Sequence, residues 1–207
     1  MGRKAFALTT AVLVALVVTA VAAAAVINGT PGDDVLRGTD QADEIRGFAG
    51  NDHVYARDGA DLVRAGSGDD GVRAGVGDDL AYGGRGNDVL AGGNGNDRLY
   101  GGSDADRVSG NKGPDVVSGN DGPDSVFGGG GPDRSFGGSG DDELHALAAD
   151  NDPDLLNCGP GDDKAFVLRS ERPSTTLVGC ETLLIVVELT AEQEESENSD
   201  ADTEADG

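Results

Sequence analysis

The chain has 207 residues and a formal net charge of −24, and glycine alone accounts for 35 of the residues. So strong an acidic excess excludes nucleic acids and anionic membranes as partners held by electrostatic attraction. Aromatic residues make up 4% of the chain and tryptophan is absent, so any core must be thin and largely aliphatic.

The N-terminal residues 1–25 predict a secretory signal peptide. Arg3 and Lys4 precede an apolar run that ends in four consecutive alanines. A short basic start, an apolar stretch and small residues are typical of such a signal, and we expect cleavage after Ala25. The alternative is an uncleaved membrane anchor, because a run of about 20 apolar residues could span a bilayer. A cleaved signal implies a secreted protein with no membrane segment after signal removal.

From residue 29 to residue 145 a nine-residue unit repeats thirteen times without an insertion. Each unit reads Gly/Ala-x-x-Gly-x-Asp-x-apolar-x, except that Gln41 and Asp104 replace the fourth-place glycine and Ser135 replaces one apolar residue. The sixth-place aspartates are Asp34, Asp43, Asp52, Asp61, Asp70, Asp79, Asp88, Asp97, Asp106, Asp115, Asp124, Asp133 and Asp142. A short fixed period indicates a solenoid, in which each unit packs on its neighbours.

The eighth places predict two aliphatic rows that face each other across the interior. One row is Leu36, Val54, Val72, Leu90, Val108, Val126 and Leu144, and the other is Ile45, Val63, Ala81, Leu99 and Val117. Each buried side chain contributes about 1.5–3 kcal/mol, whereas ordering each residue costs about 1 kcal/mol or more. Backbone hydrogen bonds and bound ions must therefore supply much of the stability.

The clearest copies of the unit are residues 83–91 and 92–100, which read GGRGNDVLA and GGNGNDRLY. They resemble the calcium-binding nonapeptides of the RTX, or haemolysin-type, family, and the resemblance covers residues 29–145. It implies an all-β fold, a parallel β-roll (a β-solenoid) in which two nonapeptides make one coil. It also implies that the first six residues of each unit form a turn that binds Ca²⁺ and that the last three form a short strand.

The chemistry of the unit also points to Ca²⁺, which takes six to eight oxygen ligands from carboxylates and backbone carbonyls. We expect glycine at the first and fourth places to adopt positive φ and let the backbone lie close to an ion. Stacked coils lie about 4.8 Å apart, so aspartates two units apart can share an ion, which couples metal binding to folding. The alternative is solvated turn residues. The altered turns before Asp43 and Asp106 are the weakest candidates.

The ninth places are expected to face outward and to form two ladders. One ladder is Arg46, Arg64, Tyr82, Tyr100, Ser118 and Phe136, and the other is Arg37, Tyr55, Arg73, Ala91, Ser109, Phe127 and His145. They predict cross-strand stacking over the sheets. The alternative is a surface that holds a polysaccharide or a cell-surface partner through its Arg, Tyr and Phe side chains.

After Leu144 the register slips, and two decayed units follow over residues 149–157 and 158–166, of which the second carries a further candidate ligand, Asp163. Cys158 and Cys180 are the only cysteines, and an even pair in a secreted chain predicts a disulfide. We expect the β-roll to occupy residues 26–166. Residues 167–189 are interpreted as a cap with one strand, pinned by the disulfide, and residues 190–207 as a disordered acidic tail.

These segments leave no stretch for a catalytic domain, and no catalytic motif is visible, so we expect that the protein is not an enzyme. The favoured hypothesis is a secreted calcium-binding repeat protein, which folds on binding multiple Ca²⁺ ions and acts as a structural extracellular module. The alternative hypothesis is an adhesion or glycan-recognition module, in which calcium supports the outward ladders.

Overall fold

The computed structural model describes residues 24–186, which form eighteen parallel β-strands arranged in two nine-stranded sheets. Successive strands alternate between the sheets, so two nonapeptides make one coil of a β-solenoid. The predicted parallel β-roll is therefore confirmed. Within this range no helix is long and apolar enough to cross a membrane. The predicted acidic tail, and all of the predicted signal peptide except its last two residues, lie outside the described residues.

The odd-numbered strands form the first sheet and the even-numbered strands the second. The first sheet contains β1 (Val26–Asn28), β3 (Glu44–Arg46), β5 (Leu62–Ser67), β7 (Leu80–Arg85), β9 (Arg98–Ser103), β11 (Val116–Asp121), β13 (Arg134–Ser139), β15 (Leu155–Asn157) and β17 (Thr176–Val178). The second contains β2 (Val35–Arg37), β4 (His53–Asp58), β6 (Gly71–Val76), β8 (Val89–Asn94), β10 (Arg107–Lys112), β12 (Ser125–Gly130), β14 (Glu143–Ala146), β16 (Lys164–Leu168) and β18 (Thr182–Val186).

The register is set by the eighth places, which stack on one another every 18 residues, as Val54 does on Val72 and Val72 on Leu90. Both predicted rows are buried, and together they form one continuous aliphatic core. Ser135 takes the same place in β13 and is 1% exposed. The two-row core predicted from the sequence is confirmed.

The strands differ from the expected three residues. From β4 to β13 each strand has six residues, because the first three residues of the next unit continue the parallel pairing. In β4, for example, Arg57 and Asp58 pair with Gly75 and Val76. The connecting turn therefore contains only the fourth, fifth and sixth places, which carry the aspartate directly into the next strand.

The C-terminal region extends both sheets. Residues 147–154 form a longer connection after β14, which changes the spacing between stacked aspartates from 18 to 21 residues. Beyond it, β17 pairs with β15 and β18 pairs with β16, both in parallel. The segment interpreted as a cap thus adds a last coil to the solenoid. The predicted disulfide between Cys158 and Cys180 is confirmed, with Cα atoms 5.1 Å apart.

Replacing both cysteines with serine should destabilise this last coil. The disulfide closes a chain segment with a sequence separation of 22, and constraining such a loop contributes about 3 kcal/mol to the free energy of unfolding. The loss should appear in calcium as faster amide exchange in β17 and β18, with little change in β5 to β9. Equal exchange in the last coil of the double variant and of the wild-type chain would contradict this prediction.

Candidate metal centres

The sixth-place aspartates form two columns, one along the turns that lead into each sheet. The first column contains Asp43, Asp61, Asp79, Asp97, Asp115, Asp133 and Asp154, and the second contains Asp34, Asp52, Asp70, Asp88, Asp106, Asp124, Asp142 and Asp163. Within each column the backbone N–H of one aspartate donates to Oδ1 of the next, at 2.7–3.0 Å. The structure therefore brings all fourteen predicted aspartates into two lines.

The second carboxylate oxygen of most of these aspartates has no donor. Among the described residues, Oδ2 is buried without a hydrogen-bond partner in Asp52, Asp61, Asp70, Asp79, Asp88, Asp97, Asp106, Asp115, Asp124, Asp133, Asp142 and Asp163. These residues are at most 3% exposed. A buried acceptor without a partner is costly, and a buried charge more so unless a cation compensates it. The donor set fits Ca²⁺, which prefers carboxylate and carbonyl oxygens.

The backbone is left-handed at two places of the unit, one in the strand and one in the turn. From the third unit to the thirteenth, the second and fourth places all have positive φ, from Phe48 and Gly50 to Gly138 and Gly140. The expectation of a positive φ was wrong for the first place. Glycine at that place leaves space for the aspartate side chain instead. A Cβ at Gly83 would lie 2.3 Å from Asp88 Oδ2, and one at Gly92 would lie 2.3 Å from Asp97 Oδ2. First-place glycine thus leaves room beside the carboxylate.

The sequence matches the family described as the RTX calcium-binding nonapeptide repeat. Overlapping matches cover residues 28–63, 50–81, 73–108, 82–117, 100–134, 109–144 and 127–164. The chain belongs to this family. A search of the curated proteins finds no match. The RTX repeats therefore span most of the described solenoid, from the end of β1 to the start of β16.

Replacing Gly77 with alanine should destabilise an RTX turn, whereas the same change at Gly32 should be tolerated. Gly77 has φ +142°, and its added Cβ would lie 1.6 Å from the carbonyl oxygen of Gly59. A strained backbone alone costs about 1–3 kcal/mol. Gly32 also holds the fourth place, but its nearest heavy atom would lie 4.0 Å away. Denaturant unfolding in calcium measures both, and equal destabilisation of the two variants would contradict the prediction.

Burial raises the pKa of every column carboxyl from Asp52 to Asp163, and it outweighs the opposing hydrogen bond that each accepts from the backbone. Neighbouring carboxylates raise most of these pKa values further. The pKa rises to about 8 for Asp88 and Asp133. It rises to about 7 for Asp106, Asp115 and Asp124. It rises to about 6 for Asp61, Asp70, Asp79, Asp97, Asp142 and Asp154. Without a cation, the carboxyls of these RTX turns therefore ionise at a higher pH than an ordinary aspartate does.

Asp34 and Asp43, the first members of the two columns, differ from the other aspartates. Their Oδ2 atoms accept hydrogen bonds from the backbone N–H groups of Thr30 and Thr39, at 2.5 and 2.6 Å. Burial alone would raise the pKa of Asp43, but hydrogen bonds from Thr39 and Ala25 bring it below its usual value. The sequence analysis singled out the turns before Asp43 and Asp106 as altered. Only the turn before Asp43 has a donor to Oδ2, since Asp106 Oδ2 is buried and has no hydrogen-bond partner among the described residues.

Two further acidic residues join the columns, and they were missing from the predicted ligands. Asp154 accepts from the backbone N–H of Asp133 at 3.0 Å, and Glu181 Oε2 accepts from that of Asp163 at 3.1 Å. Both directly precede a strand whose second residue packs inward. Extending the nine-residue frame toward the C-terminus would have found both residues by this pattern. No three Asp, Glu, His or Cys side chains of residues 24–186 converge as a metal cluster. A cation in an RTX turn would therefore need backbone carbonyls as well.

The outward ladders stack within their sheets, as predicted. Tyr82 and Tyr100 are stacked with ring centroids 5.1 Å apart. His145 lies between Phe127 and Phe166, at 4.2 and 4.5 Å from the two rings, and burial there lowers the pKa of His145 to about 4. These contacts cover part of the outer face of each RTX sheet.

Proposed function

We propose that this chain is a secreted calcium-binding repeat protein, which folds on binding several Ca²⁺ ions and acts as a structural extracellular module. The proposal carries no catalytic role. Export rests on the basic and apolar N-terminal sequence, where we propose a cleaved signal peptide over residues 1–25. The described coils from Asp52 onward act as the calcium-dependent part, with the column carboxylates from Asp52 to Asp163 as ligands.

The observation that supports calcium binding is the set of twelve buried carboxylate oxygens without donors in the described residues. Hydrogen bonds from the adjacent coil satisfy Oδ1 in each column, so the N–H groups of the solenoid are already used on one side of the carboxylate. Oδ2 then has a negative charge, little solvent and no donor. A divalent cation with carbonyl ligands from the same glycine-rich turns neutralises this charge without requiring further donors.

Isothermal titration of the purified mature chain with CaCl₂, matched against MgCl₂, tests the proposal. We expect several Ca²⁺ ions to bind per chain and Mg²⁺ to compete weakly, because Mg²⁺ demands a rigid octahedral shell. Asp97→Asn should lower the number of bound ions. Asp58→Asn is the matched control, since Asp58 is exposed and lies outside the columns. Equal calcium uptake by the two variants, or none by the wild-type chain, would contradict the proposal.

A second candidate function is recognition of a polysaccharide or cell surface by the outward ladders. The stacked pair Tyr82 and Tyr100 favours it, because the two rings lie side by side on the outer face of the first sheet and Tyr82 is 38% exposed. Replacing both tyrosines with alanine separates the two functions. Loss of glycan or cell binding with unchanged calcium uptake supports recognition, whereas unchanged binding in both assays leaves the structural module as the function.

A further inference from the structure

The first two turns of the repeat have a backbone conformation unlike that of the eleven turns that follow. Thr30 and Thr39 hold the second place, and Gly32 and Gln41 hold the fourth, and none of the four has positive φ. In every later unit through residue 140 both places are left-handed. The difference does not depend on glycine alone, because Gly32 keeps the consensus residue and still lacks the left-handed conformation.

Threonine donors satisfy the carboxylates of these two turns. Thr39 donates from its backbone N–H to Asp43 Oδ2 at 2.6 Å, and its hydroxyl lies 3.0 Å from Oδ2 and 3.1 Å from Oδ1. Ala25, which the proposed signal cleavage would remove, also donates to Oδ1 at 2.6 Å, so the lasting donors of this turn are those of Thr39. In the preceding turn the N–H and hydroxyl of Thr30 donate to Asp34 Oδ2 at 2.5 and 2.9 Å. Two donors on one oxygen occupy both of its lone pairs.

We propose that Thr30 and Thr39 take the place of the cation in the first two turns, so that the N-terminal end of the solenoid closes without metal. This inference rests on the proposed calcium binding, and it determines which turns take part. A Ca²⁺ ion at Asp43 would have to displace donors that are already in hydrogen-bonding position. At Asp61, the next residue of the same column, Oδ2 has no donor to displace.

The two closed turns also position the first two carboxylates proposed to bind metal, those of Asp52 and Asp61. The backbone N–H of Asp34 donates to Asp52 Oδ1 at 2.9 Å, and that of Asp43 donates to Asp61 Oδ1 at 2.7 Å. Each closed turn therefore fixes one oxygen of the first carboxylate that lacks a donor on its other oxygen. The N-terminal coil is in this way a metal-independent template on which the calcium-dependent coils assemble.

Counting bound calcium in two neighbouring variants tests the inference directly. Asp43→Asn should leave the number of bound ions unchanged, whereas Asp61→Asn should lower it. Both variants lose one charge from the same column, so a general electrostatic effect would move them equally. An equal loss of ions in both variants would overturn the inference while leaving the proposed calcium binding intact.

Amide exchange of the full chain in chelator provides a readout that does not need calcium. Peptides covering residues 27–46 should exchange more slowly than peptides covering residues 80–100. Changing both Thr30 and Thr39 to valine removes the two hydroxyls and should speed exchange in the first peptides. Changing both to serine retains the hydroxyls and should preserve the protection. If the first coil exchanges as fast as the middle coils in chelator, the inference fails, even for a chain that binds calcium.

Discussion

Removing calcium at pH 7.5 should abolish most of the β structure of this protein, and returning calcium should restore it. Each buried acceptor left without a partner costs about 1–3 kcal/mol, and more when it is charged. Twelve such oxygens lie in the described columns. Even with partial relaxation, their combined cost is comparable to or larger than the roughly 5–15 kcal/mol by which domains are stable. The aliphatic core is too thin to offset it.

Far-UV circular dichroism of the mature chain, first in chelator and then titrated with CaCl₂ or MgCl₂, measures this effect. The β signal should rise cooperatively with Ca²⁺ and remain low in matched MgCl₂. The residual signal in chelator should be small and should come from the first coil. A full β signal in chelator would show that the columns fold without metal and that their aspartates act only as turn residues.

In the metal-free chain, β structure should increase as the pH falls from about 8.5 to about 5. Eleven of the column carboxyls have folded-state pKa values raised from 3.8 to about 6–8, as for Asp97 at about 6 and Asp133 at about 8. A raised pKa means that the folded state binds protons more tightly than the unfolded chain. Its contribution to stability is complete below pH 3.8 and is lost as the pH rises through 6–8.

Calcium should reverse this dependence, because a ligand must be deprotonated to bind the metal. The calcium concentration at half-saturation should therefore rise as the pH falls through the same range. Replacing Asp88 and Asp133 together with asparagine removes the two highest pKa values and should make the metal-free pH profile shallower. A metal-free chain that gains β structure as the pH rises from 5 to 8 would contradict the predicted sign.

Much of the fold could be predicted because two simple patterns coincide. The inward place occupied by Leu90 and Leu99 fixes the register of both sheets, and the aspartate before each strand fixes the turn. The six-residue strands could not be predicted in the same way, because their second-place residue is left-handed at Arg57, Asn111 and Asn120 as well as at glycines. The coil imposes that conformation, so side-chain identity alone does not reveal it.

The positions of the candidate ligands could be predicted from the sequence, but the hydrogen-bond partners of their carboxylate oxygens could not. The repeat places Asp43 and Asp61 in equivalent positions, yet Thr39 satisfies one carboxylate and nothing in the described residues satisfies Oδ2 of the other. That difference depends on the conformation of one turn. Glu181 was missed because the expected repeats ended at residue 166 and glutamate stands where the other units have aspartate. Gly179 nevertheless keeps the fourth-place glycine with positive φ, and Glu181 joins the column.

The order of strands has a mechanical consequence. β1 lies at one end of its sheet and β17 at the other, so the axis of the solenoid runs between the two ends of the described chain. A pull along that axis loads the outermost ladder of hydrogen bonds first, and each regular coil that detaches releases 18 residues. Extended, they add about 60 Å of contour length per event. Under tension the protein should therefore lengthen stepwise from its ends, with calcium setting the force at every step except that of the metal-independent first coil.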